Sequence, residues 1–155
     1  MPPPPAGPDD LPGPAQQVAV ALAGLGAVGT PCAGPPDPLP AGHVVVHTHV
    51  FEAGGRPLVV VGNARPDPVD LAGALGVDGI REVPDPVVTL WTGQDPRAVA
   101  PVGHAEPVSL VIDINLAQRP VLWVPAGAPG YFFPTTYSEL LRITAGTAAE
   151  VGELP

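Results

Sequence analysis

Proline placement limits this chain more than any other feature. Twenty-five of its 155 residues are proline, and each fixes φ and removes a backbone donor, so no long helix can pass through one. Seven prolines fall within residues 1–14, a segment too poor in apolar side chains to build a core, and a disordered tail is expected there. Residues 31–42 carry prolines at 31, 35, 36, 38 and 40 and read as a Pro-rich loop. The remainder, 15–153, is long enough for one domain with a single core. Apolar residues make up 45% of the chain, mostly Ala and Val with few aromatics. That composition favours a compact, strand-rich α/β fold.

Between the prolines, periodicity places short elements. Val18, Leu22 and Leu25 recur at i, i+4 and i+7, which predicts an amphipathic helix from Pro14 to Gly24. Val44 to Phe51 and Leu58 to Val61 are β-branched runs separated by Glu52-Ala53-Gly54-Gly55-Arg56-Pro57, the pattern of a hairpin. Asp67-Pro68 opens a helix that Gly76 closes, and Asp85-Pro86 repeats the start signal for a helix ending near Trp91. Short strands are expected near Ile80 to Val83, Val108 to Ile112, Pro120 to Val124 and Tyr131 to Phe133, with a turn at 113–118. Thr136 and Glu139 form a capping box for a last helix over 136–144, followed by a small acidic tail.

Charge narrows the partners. Six arginines, no lysine and fifteen acids give a formal charge of −9. Phosphate neutralisation needs clustered cations, so DNA binding is not expected and RNA contact must be local or assisted. The single Cys32 excludes an internal disulfide and suits a reducing cytoplasm. No stretch is long and apolar enough to span a membrane. The run from Val18 to Cys32 is only faintly like a leader, because two acids and no basic residue precede it.

The stretch Thr92 to His104 holds two glycines, two prolines and a histidine between apolar runs. Proline stiffens such a loop and glycine bares its amides, so it can present N–H donors to a carbonyl or oxyanion. Gly24-Leu25-Gly26-Ala27-Val28-Gly29 matches the dinucleotide fingerprint in form, but the prolines that follow forbid the helix that fingerprint requires. In one continuous strand His43, His47 and His49 share a face, and the His47-x-His49 spacing suits a metal-dependent hydrolase. The plainer alternative is three polar strand residues, and no metal ligand set is assigned.

The order of motifs carries a resemblance. A hairpin leads to a helix opening Asp67-Pro68-Val69-Asp70-Leu71-Ala72, a strand and a helix ending Thr92-Gly93. The loop Val99-Ala100-Pro101-Val102-Gly103-His104, the run Val111-Ile112-Asp113-Ile114-Asn115-Leu116, and Pro134 to Thr144 follow. Over about residues 43–153 this resembles the YbaK and prolyl-tRNA editing domain family. The resemblance implies a mixed β-barrel-like sheet with surrounding helices, and hydrolysis of the ester joining a wrong amino acid to tRNA. It implies the mischarged tRNA 3′ end as substrate, an aminoacyl-tRNA synthetase as an assisting partner, no cofactor, and a cytoplasmic setting. His47 stands where the family carries a lysine, and Arg97 where its Gly-x-x-x-Pro loop has glycine, with Pro101 at the proline. A further polar position of the family falls near Phe132.

On that transfer His47 orients or deprotonates the water and Thr48 holds the amino acid or ribose. Thr92, Gly93, Val99, Ala100, Pro101, Gly103, His104 and Asp113 form the substrate site, with amides from Val99 to Gly103 as oxyanion donors. Arg97 is expected to crowd the pocket. Read without the resemblance, His104 hydrogen-bonds inside its own loop and Asp113 caps the turn after its strand. Loss of both the lysine and the motif glycine supports an alternative, a degenerate binding module for an amino-acid-like ligand or a synthetase.

Overall fold

The computed structural model describes residues 11–151. The chain begins with α1 (Gly13–Gly24), whose Ala15, Val18 and Leu22 form the buried stripe. Leu25 falls beyond its end and is 41% exposed, so it does not extend that stripe. The disorder expected over 1–14 does not hold for Leu11 to Pro14. Residues 1–10 lie outside the described region, but Leu11 packs against Ala15 and Ala128, and Gly13 and Pro14 are already helical.

Four short strands follow: β1 (Cys32–Ala33), β2 (His43–Val45), β3 (His47–Ala53) and β4 (Arg56–Gly62). Then come α2 (Pro68–Leu75), β5 (Arg81–Glu82), α3 (Asp85–Thr92) and β6 (Ser109–Asp113). A 3-10 turn (Ile114–Gln118) leads into β7 (Val121–Pro125), β8 (Tyr131–Thr135), α4 (Tyr137–Thr144) and β9 (Thr147–Ala149). The strands make two mixed sheets, ordered β1-β8-β7-β2 and β5-β3-β4-β6-β9. The fold is the expected single α/β domain, with its sheets facing each other and not closed into a barrel. A main core fills the space between them: Val59, Val61 and Ile112 from one sheet meet Leu122, Val124 and Phe133 from the other, with Val18 of α1 and Leu140 of α4 closing the ends. On the outer face of the five-stranded sheet, Phe51, Leu58, Val60 and Val111 form a second core under Leu71 and Ala72 of α2.

One departure from the sequence pattern matters for the site. The run from Val44 to Phe51 reads as one strand but divides at Val46. Val44 and Val45 pair in parallel with Leu122 and Trp123 of β7, the Val46 N–H donates to the Trp123 carbonyl at 2.9 Å, and pairing to β4 begins at His47 opposite Gly62. A strand can serve both sheets this way because Val46, fully buried, is the corner between them. β9 was also not evident, because a three-residue strand in an acidic tail has no periodic signal. It pairs in parallel with β6, and Val151 beyond it is buried.

Helix ends show where start signals hold. Asp67 accepts from the amides of Val69 and Asp70, and Gly76 closes α2 at φ 69°. Asp85 does not cap α3, because Pro84 takes the cap position and Asp85 becomes the first helical residue. The capping box of α4 is half made: Thr136 accepts the Glu139 N–H, but the Glu139 carboxylate accepts from the Val28 amide and the Thr135 hydroxyl. That contact ties the loop after α1 to α4. It also explains Gly29, where a Cβ would lie 2.0 Å from the Pro134 carbonyl oxygen. The third glycine of the false fingerprint is needed for close packing, and Gly26 for a turn at φ 70°.

Candidate functional site

The loop from Thr92 to His104 is organised by Gln94, which is 2% exposed. A buried primary amide must find partners for its donors and its acceptor. Gln94 Nε2 donates to the carbonyls of Val102 (2.9 Å) and Gly103 (3.2 Å), and Oε1 accepts the Ala100 amide at 2.7 Å. Two more bonds tie the loop to the β7–β8 turn: Asp95 N–H to the Gly127 carbonyl, and Gly127 N–H to the Ala98 carbonyl. No sequence signal singled out Gln94 beyond its being the one side-chain amide in that loop.

This staple sets the direction of the amides. In a trans peptide the C=O and N–H point opposite ways, and the one cis bond among the described residues is Asp37-Pro38. With the Val102 and Gly103 carbonyls turned inward to Gln94, the N–H groups of Gly103 and His104 point away from it. Neither amide has a protein acceptor among the described residues. Gly103 is at φ 78°, a left-handed conformation that lets successive N–H groups converge. Ala100, expected among the donors, is not available, because Gln94 occupies its N–H.

The other predicted site residues are placed as follows. Thr92 is buried, its hydroxyl donating to the Val88 carbonyl and accepting the Gln94 amide, while Gly93 ends α3 at φ 72°. Both are engaged in closing that helix. Thr48 donates its hydroxyl to the Val99 carbonyl at 2.5 Å and so clamps the loop to β3. Arg97 does not crowd the loop. Its guanidinium forms a two-point pair with Asp95 at the surface, and its φ is not positive, so this position has no need of glycine. Arg97 holds the Asp95 carboxyl below the ordinary carboxylate range.

His104 Nε2 lies 2.6 Å from the Ala100 carbonyl. A carbonyl can only accept, so Nε2 carries the proton. Burial lowers the pKa of the ring, against a smaller raising effect of that bond. The imidazole is thereby kept neutral with Nδ1 as a lone pair, and Nδ1 has no partner among the described residues. Pro101, Val102, Gly103 and His104, with Leu25 and Ile143, line an open cavity of about 420 Å³. Asp113 caps the 3-10 turn, accepting from the amide and side chain of Asn115.

His47 and Thr48 are not brought to one face. Neighbours on a strand point to opposite sides. Val50 packs with the main core and Phe51 with the second, so Thr48 faces the loop and His47 faces outward, beside Gly62 and in line with Asp113. His47 is exposed and lines neither the 420 Å³ cavity nor the smaller one of about 250 Å³ that Thr48 shares with His49, Glu82 and Pro96. The three-histidine face is not formed either. The break at Val46 puts His43 in the four-stranded sheet, where its Nδ1 accepts from Trp123 Nε1 at 3.0 Å. Among the described residues no group of three metal-ligating side chains converges. His49 Nδ1 is buried without a partner, and burial, then the nearby His47 and Arg65, lowers the His49 pKa against an opposing effect of Glu82.

Two facing mixed sheets with a proline-stiffened loop clamped to strand β3 define a class of small α/β domains. The chain belongs to the aminoacyl-tRNA editing domain family, whose model matches residues 40–143. The substrate class of that family is aminoacyl-tRNA. Among solved structures it is similar to a candidate trans-editing enzyme for prolyl tRNA synthetase, with 24% identity over 93% of this chain and 99% of that one and a TM-score of 0.79. A scaffold protein used for epitope backbone grafting is similar at 24% identity, with 94% and 100% of the two chains covered and a TM-score of 0.82. The hypothetical protein APE2540 matches at 19% identity, 87% and 98% coverage, and a TM-score of 0.75. At these identities the structures show the fold alone. No curated protein matches the chain. Among the described residues no helix is long and apolar enough to cross a membrane.

Proposed function

We propose that this protein is an aminoacyl-tRNA deacylase acting in trans in the cytoplasm, hydrolysing the ester of a mischarged tRNA at the loop cavity. The observation that carries the reading is the pair of outward amides, Gly103 and His104, fixed by the inward carbonyls on Gln94. Preorganised N–H donors of this kind stabilise the oxyanion that forms when water adds to an ester carbonyl. In this reading the neutral His104 removes the proton of the attacking water at Nδ1, its Nε2–H being held by Ala100. Collapse of the tetrahedral species breaks the ester bond, and the same proton passes from Nδ1 to the leaving ribose oxygen. Thr48 acts as a positioning residue through Val99, Pro101 and Gly103 shape the wall, and His47 stands outside the chemistry. The formal charge of −9 leaves most of the tRNA affinity to an assisting synthetase.

The test is a panel of mischarged tRNAs, with Ala, Ser and Cys on tRNA for proline among them. At least one member should lose its amino acid faster with protein than without. No acceleration for any member overturns the reading. One observation favours the degenerate binding module: the residue in the lysine slot, His47, faces away from the loop. That alternative predicts saturable binding of a non-hydrolysable aminoacyl-adenosine amide together with no turnover of any ester.

A further inference from the structure

We propose that the groove beneath the C-terminal end of α2 is a binding site for a small aliphatic carboxylate, separate from the loop cavity. The ladder registers put its parts on one face. Phe51, Leu58 and Val111 belong to the outer core, so Arg56, two positions before Leu58, and Ser109, two before Val111, share that face, and Thr147 joins it through its pairing with Val111. α2 covers the upper part of this face with Leu71 and Ala72 and reaches the lower part only with Leu75. The uncovered part is a cavity of about 520 Å³, within the range that encloses small ligands.

Its chemistry is divided in two. Leu58, Leu75 and Val111 supply an apolar floor and wall, Arg56 and Ser109 lie towards one end, and Thr147 stands beside Val111 towards the other. Arg65, Arg81, Arg97 and Arg142 are each paired with a carboxylate, whereas Arg56 and Arg119 have no side-chain partner among the described residues, and of these two it is Arg56 that lines the groove. The hydroxyls of Ser109 and Thr147 are likewise without hydrogen-bond partners there. The lining contains no Asp or Glu, in a chain with fifteen acids. A guanidinium fork with the neighbouring Ser109 hydroxyl suits a carboxylate, and the adjoining apolar floor suits a short hydrocarbon chain.

Titration of ¹⁵N-labelled protein with isovalerate, without tRNA, tests this independently of any deacylation. Saturable shifts are expected at the amides of Leu58, Ser109 and Val111. Isovaleramide on the unaltered protein, and isovalerate on Arg56→Gln, should each bind roughly tenfold more weakly, since both remove the charge-assisted contact. Acetate, lacking the chain, should also bind more weakly. Absence of saturable shifts with isovalerate, equal affinity for acid and amide, or shifts centred elsewhere would overturn the proposal. The acid-against-amide comparison needs no variant, so it decides the matter even where Arg56→Gln folds poorly.

Discussion

The loop at 92–104 and the strand at 43–51 were both prominent in the sequence, and the structure treats them in opposite ways. The loop has no regular secondary structure, yet a buried Gln94 and the Thr48 hydroxyl hold its carbonyls at defined positions. The strand is regular by pattern, yet it divides at Val46 and distributes its histidines between two sheets and two faces. Irregular backbone can therefore be the more preorganised region when a side chain satisfies it from within. Regular backbone guarantees only that neighbouring side chains diverge.

The largest effect should come from removing the staple. Gln94→Ala strands the Ala100 amide and releases two carbonyls, at a cost of about 3 kcal/mol of stability in chemical denaturation. On the proposed function deacylation should fall roughly 100-fold, as for loss of an oxyanion donor. Unchanged activity would show that the loop's rigidity has no catalytic value. Gly29→Ala, which touches neither region, should lower stability by about 2 kcal/mol through collision with the Pro134 carbonyl, and it sets the scale for a purely structural loss. Thr48→Val keeps shape but removes the donor to Val99, and should cost about 1 kcal/mol.

In their buried histidines the two regions respond to pH in the same direction. His104 and His49 both have pKa values lowered in the folded protein by burial, from an ordinary value of 6.5. Near and below that value the unfolded chain binds protons that the folded chain does not. Their contribution is therefore complete above about pH 6.5 and is lost as pH falls through the lowered folded values. Thermal midpoints should drop on acidification from neutral pH, and His104→Asn should flatten the profile. The smallest effect is expected for His47→Ala, within about 0.5 kcal/mol, since the side chain is exposed. Loss of deacylation in that variant, with stability intact, would return the chemistry to the outer face and break the assignment to His104.

Much of the fold was legible because its signals are local. Asp67-Pro68 with Gly76, the Thr136 cap and the glycine-rich hairpin turn each act within a few residues, and each is formed. Asp85 misled because the same dipeptide can sit one residue deeper when a proline precedes it. In the site, the His104 bond and the Asp113 cap followed from short-range geometry. His47 and Thr48, expected to act together, point to opposite sides of β3, because adjacency in sequence is opposition in a strand.

The sequence by itself determined the short elements, the proline-bounded loops, the acidic surface and the family order of motifs, since all of these depend on residue type and spacing along the chain. Tertiary structure alone decided that Val46 is a corner, that Gly29 must lack a side chain, and that Gln94 turns the Gly103 and His104 amides outward. These depend on what lies across a buried contact, and no local pattern encodes the partner of a buried polar group or the atom that fills the space beside a glycine.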